Sequence, residues 1–85
     1  MNIKDLEKCF EHAKEGHYTY VAVVVTVPGC ENCEIIINPR SNFDTKLEYY
    51  KKAYNDDLTL KSFNQIKITN FFYSDDVVDI ENELI

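Results

Sequence analysis

Tyr18-Thr-Tyr-Val-Ala-Val-Val-Val-Thr-Val27 runs for ten residues without a charge and is built almost wholly of β-branched and aromatic side chains. Such residues fit a pleated strand. Val21, Val23, Val25 and Val27 fall on one side, and Tyr18, Tyr20, Ala22 and Val24 on the other. Because both sides are apolar, the stretch reads as an interior strand covered on both faces.

The flanking segments then take their places around this strand. Upstream, Asn2 caps a helix over Ile3–Glu15, with Asp5 in its first turn and Gly16 and His17 at its end. Ile3, Leu6, Phe10 and Ala13 share one stripe, with Cys9 at its edge. Downstream, Pro28-Gly29-Cys30-Glu31-Asn32 reads as a turn, and Cys33–Asn38, built on Ile35, Ile36 and Ile37, as the second arm of a hairpin. Pro39 stops that strand. Ser41 or Asn42 caps a helix over Phe43–Tyr54, whose inward stripe is Phe43, Leu47, Tyr50 and Tyr54, and Asn55 suits the left-handed position after it. A polar connection from Asn55 to Lys61 leads to a third strand over Gln65–Tyr73, whose Lys67 and polar second side mark it as an edge. Ser74 caps a last helix over Asp75–Leu84, with Val77, Ile80 and Leu84 inward.

The expected fold is thus α+β, α-β-β-α-β-α, one domain spanning residues 1–85. Its three-stranded antiparallel sheet has order 2-1-3 and packs against helices. The hairpin and the crossover helix place the third strand on the free side of the central one.

Composition narrows the class. Hydrophobic content is 45 %, with only 2 Gly and 2 Pro, the balance of a folded domain and not of a disordered chain. At this length only about 60 to 65 % of the surface is buried, which leaves little room for a deep active site. The charged start is not a signal peptide, and the longest apolar run is about half of the ~20 residues that a membrane span needs. The expected location is the cytoplasm, with no membrane partner, and an odd cysteine count of 3 there implies reduced thiols. Asn, Lys, Ile, Tyr and Phe supply 35 residues against 8 for Gly, Ala, Arg and Pro, the usage of an AT-rich genome such as that of a low-GC bacterium or its phage.

Charge is unevenly distributed. Residues 74–85 carry Asp75, Asp76, Asp79, Glu81 and Glu83 and no base, whereas residues 1–73 carry 9 basic and 10 acidic groups. Asp56 and Asp57 extend the acidic surface if the fold brings them near. Such a surface repels phosphate, so direct nucleic-acid binding is not expected. It can instead imitate a phosphate backbone toward a basic protein, although on charge alone a solvated helix end without a partner is the simpler reading.

Cys9-Phe-Glu-His12 and Cys30-Glu-Asn-Cys33 form two ligand pairs with the spacing of tetrahedral zinc sites. The simpler alternative is a partly buried Cys9 plus two exposed thiols in a turn, with no cofactor. No nucleophile–base pair, paired carboxylates, Gly-rich phosphate loop or zinc-hydrolase signature is present, so a non-enzyme is expected. Tyr49 and Tyr73 are the aromatic candidates for an interface, with Tyr50 and Tyr54 expected inside.

Met1-Asn-Ile-Lys-Asp-Leu6, matching at Asn2, Ile3, Asp5 and Leu6, resembles the start of certain type II anti-CRISPR inhibitors. Ile36-Ile-Asn-Pro39 through Lys46-Leu-Glu-Tyr-Tyr-Lys-Lys-Ala-Tyr54 is similar to small phage and prophage proteins of low-GC Gram-positive bacteria. The cysteine pair is not part of the anti-CRISPR pattern. The resemblance implies an anti-defence protein in the bacterial host cell, a non-catalytic inhibitor blocking a basic nucleic-acid-binding nuclease such as a CRISPR effector. The competing expectations are a small-molecule (nucleotide) sponge or oligomeric adaptor, and a zinc-stabilised accessory protein.

Overall fold

The computed structural model describes residues 1–29 and 34–83, apart from the side chains of Glu81 and Glu83. The elements are α1 (Ile3–Glu15), β1 (Tyr20–Thr26), β2 (Glu34–Pro39), α2 (Phe43–Ala53), β3 (Thr59–Leu60), β4 (Phe63–Ser74) and α3 (Val77–Glu83), with a 3-10 turn over Arg40–Asn42 before α2. The class is α+β with an antiparallel sheet, but the sheet has four strands in the order β2-β1-β4-β3, not three. The expected neighbours of the central strand are kept. The added strand, Thr59–Leu60, is too short to show a period of two and lies in the stretch expected to be a plain connection.

β1 is interior. Val21 to Val25 are all buried, and β1 pairs with β2 on one side and β4 on the other. Val21, Val23 and Val25 join Leu6, Phe10 and Ala13 of α1, Phe43 and Tyr50 of α2, and Ile68 in the main core. The Phe10 ring lies edge-on to Phe43, with centroids 5.6 Å apart, and 6.1 Å from Tyr50. Ala22 and Val24 point to the opposite face, where α3 buries Ile80 completely. In register beside them, Ile37 and Ile35 of β2 stay 36 % and 40 % exposed, because seven-residue α3 is too short to cover the whole face.

Hydrogen bonds set the helix ends. Asp5 N–H donates to Asn2 Oδ1 (3.0 Å) and Asn2 N–H to Asp5 Oδ2 (2.9 Å), a complete capping box. At the other end Tyr18 N–H donates to Ala13 O (2.9 Å) and His17 N–H to Lys14 O (3.3 Å), with His17 at φ 59°. This is the Schellman pattern with histidine where glycine is usual. Gly16 is needed for another reason: a Cβ there would lie 2.8 Å from the Tyr18 ring.

Arg40 then clamps the same helix end. Its Nη2 donates to Lys14 O (2.8 Å) and its Nη1 to Ala13 O (3.3 Å) and Tyr18 O (3.2 Å), a cation on the negative end of the dipole. Neither Ser41 nor Asn42 caps α2 by a side-chain bond, since the 3-10 turn replaces the expected cap. Leu58, not Asn55, takes the left-handed conformation, at φ 70°, and is fully buried.

β4 is not the outermost strand along its whole length, as expected for an edge. β3 pairs with its first half, Thr59 opposite Lys67 and Leu60 opposite Phe63. A bulge follows, where Val24 pairs with Asn70 and Val25 with Ile68, and Phe71 N–H is held by Asn70 Oδ1 at 2.9 Å. Beyond it, residues 71–74 pair with β1 alone among the described residues.

Candidate functional site

The acidic candidates come from the turn that links β4 to α3. Ser74 was expected to cap the last helix; instead Asp76 does, accepting Val78 N–H at 2.9 Å, while Ser74 Oγ accepts Asp76 N–H at 3.1 Å. The helix accordingly starts two residues later than expected, at Val77. Asp75 also has internal partners, since its Oδ1 accepts Thr19 N–H (2.9 Å) and Thr19 Oγ1–H (3.1 Å), tying the turn to the start of β1. Both carboxylates remain exposed, as does Asp79 in the first turn of α3. Of Glu81 and Glu83 only the backbone belongs to the described structure.

Asp56 and Asp57 lie elsewhere. Asp56 O accepts the N–H of Ile3, at the start of α1, whereas Asp75 bonds Thr19, just past the end of the same helix. A 13-residue helix spans about 20 Å, so the two acidic groups occupy opposite ends of α1. Asp57 is nonetheless firmly anionic: hydrogen bonds from the Thr59 side chain and backbone hold its carboxyl below the usual value.

Two grooves flank the bare half of β4. On the α3 side, a broad open depression of about 720 Å³ is lined by Asn70, Phe72, Ser74, Asp79 and Asn82, together with Tyr73. On the α1 side, a groove of about 310 Å³ is lined by Phe71, Phe72 and Tyr73 together with Cys9, His12, Lys8 and Asp5. Tyr73, at 37 % exposure, stands between them with its ring 4.5 Å from that of Tyr18. Tyr49 is more exposed, at 49 %, but sits on α2 with Lys46 Nζ 5.0 Å from its ring centroid. Tyr50 and Tyr54 are buried, as expected.

Cys9 and His12 share the α1 groove, while Cys30 and Cys33, the other half of the expected zinc quartet, lie outside the described residues. Burial pushes the Cys9 thiol up to about 11, so it is protonated at neutral pH. Among the described residues, no three His, Cys, Asp or Glu side chains are grouped to hold a metal ion. Nor is any described helix long and apolar enough to cross a membrane.

Fold and surface together define a small α+β domain, with two helices on one face of a four-stranded antiparallel sheet and a short acidic helix on the other. No family model matches the chain, and neither a curated protein nor a solved structure matches it with significance.

Proposed function

We propose that this domain is a non-catalytic acidic interaction protein that occupies the basic surface of a nucleic-acid-binding protein. The observation that carries the reading is the exposed group Asp75, Asp76 and Asp79 at one end of the sheet, part of a segment of 12 residues with five acids and no base. Asp75 and Asp76 are held in place by turn and cap bonds, so anionic groups are presented at fixed positions, as on a nucleic-acid backbone. Together with the likeness to anti-CRISPR inhibitors, this favours a phage-encoded blocker of a defence nuclease such as a CRISPR effector, acting in the cytoplasm of a bacterial host.

Immobilised protein incubated with host lysate tests the reading. It should retain a basic nucleic-acid-binding protein at about 0.1 M salt and release it near 1 M, where the screening length falls to about 3 Å. Retention that does not change with salt would contradict it.

A further inference from the structure

We infer that the bare half of β4 is a strand-addition slot for an extended peptide that alternates apolar and basic side chains. The inference builds on the acidic-surface reading and adds to it where and how a partner chain would engage.

Three observations converge. Residues 71–74 of β4 pair with β1 on one side and with no described strand on the other, whereas β3 closes the strand only as far as Lys67. An unpaired strand edge offers main-chain donors and acceptors to an incoming strand, apart here from Phe71 N–H, which Asn70 Oδ1 already holds. Along that strand Phe71 and Tyr73 pair with Val23 and Val21 of the main core on the α1 side, and Phe72 and Ser74 with Ala22 and Tyr20 on the α3 side, while Phe72 and Tyr73 both border the two grooves. A strand laid along the edge would send its own successive side chains into the two grooves in turn.

The groove chemistry sets the pattern of the occupant. The α1 groove has an apolar floor of Cys9, Phe71 and Tyr73, and takes an aliphatic side chain. Among the described residues, the α3 groove has Asp79 as its one ionised lining group, beside Asn70, Ser74 and Asn82, and has no basic residue in its lining. It takes a lysine or arginine, and Asp75 and Asp76 in the adjoining turn add to the negative field. The open length, about four residues, fits a peptide of five to seven residues.

The test uses the whole protein and a capped heptapeptide alternating lysine and valine, read by isothermal titration calorimetry and by amide chemical shifts. Three further peptides serve as controls: one of the same composition with its lysines and valines in separate blocks, and two N-methylated at alternate backbone positions in the two possible registers. The alternating peptide should shift the amides of residues 71–74. One N-methylated register should abolish binding and the other leave it intact, and the blocked peptide should bind at least tenfold more weakly. Asp79→Asn, on an exposed helix position, should weaken binding by about two- to fivefold, the worth of one exposed ion pair. Equal binding of alternating and blocked peptides, indifference to N-methylation in both registers, shifts confined to β2, or self-association through this edge without peptide would each overturn the proposal. Capture of a basic partner in the lysate experiment by a protein that fails this peptide test would leave the acidic-surface reading standing and remove the slot alone.

Discussion

His17 sits at φ 59°, in the left-handed region, because the end of α1 demands that conformation of whichever residue follows Gly16. A side chain there costs about 1 kcal/mol relative to glycine, so His17→Gly should raise stability by roughly 0.5–1 kcal/mol in urea denaturation. Unchanged or lower stability would mean that the 3.5 Å approach of Arg40 Nη2 to His17 Nδ1 matters more than the backbone. Buried acids, Cys9 and Tyr50 foremost, make a second prediction. Burial raises Cys9 from 9.0 to about 11 and Tyr50 from 10.0 to about 12. The folded state therefore holds protons that the unfolded state releases, so the stability these groups contribute is full below about pH 9 and is lost as pH rises through 11 and 12. Between pH 9 and 10 the cysteine dominates, so Cys9→Ala should flatten the pH dependence of the urea midpoint there. An equal slope in both proteins would show that the thiol is not the titrating group. Asn2, Gly16 and His17 were legible as cap residues because caps are local. Arg40 was not, since its three carbonyl partners are 22 to 27 residues away in the chain.

Among the elements, β1 was the most legible, because an uncharged run of β-branched residues has few alternatives to an interior strand. Val23, fully buried in it, pairs with Ile36 on one side and Phe71 on the other. A buried unpaired charge costs several kcal/mol, comparable to the whole stability of so small a domain, so Val23→Asp should abolish the cooperative thermal transition seen by circular dichroism. A folded variant with an unchanged midpoint would refute the interior placement. β3 was illegible for the opposite reason. Two residues form no pattern, and they are set by neighbours: Leu58 O accepts Ile68 N–H and Lys61 N–H donates to Ala53 O, both 2.9 Å. The start of α3 was misread because Ser74, Asp75 and Asp76 are all good cap residues by composition. Only the fold decides that Asp75 is drawn to Thr19 and that Asp76 is left to cap.

For the whole molecule, charge and hydropathy gave the surface its sign but not its layout. Asp56 and Asp57 look like kin of Asp75 and Asp76 in the sequence, yet they lie at the other end of α1. The flanked strand edge was equally hidden, as it depends on where β3 ends and on how α1 and α3 straddle β4. Several lysines are matched on the surface, Lys14 with Asp44 at 3.0 Å, Lys51 with Glu7 at 3.8 Å and Lys52 with Glu48 at 4.0 Å, whereas the segment from Ser74 onward has five acids and no base of its own. The most direct test of the acidic-surface account is target-DNA cleavage by purified type II CRISPR effectors of low-GC Gram-positive hosts, titrated with this protein. The account predicts stoichiometric inhibition of at least one effector that weakens as salt rises. Asp79→Asn combined with Glu81→Gln and Glu83→Gln, which spares the Asp75 and Asp76 turn bonds, should weaken it at least tenfold. Cleavage unaffected across the panel at tenfold molar excess, or inhibition indifferent to these charge changes, would contradict it.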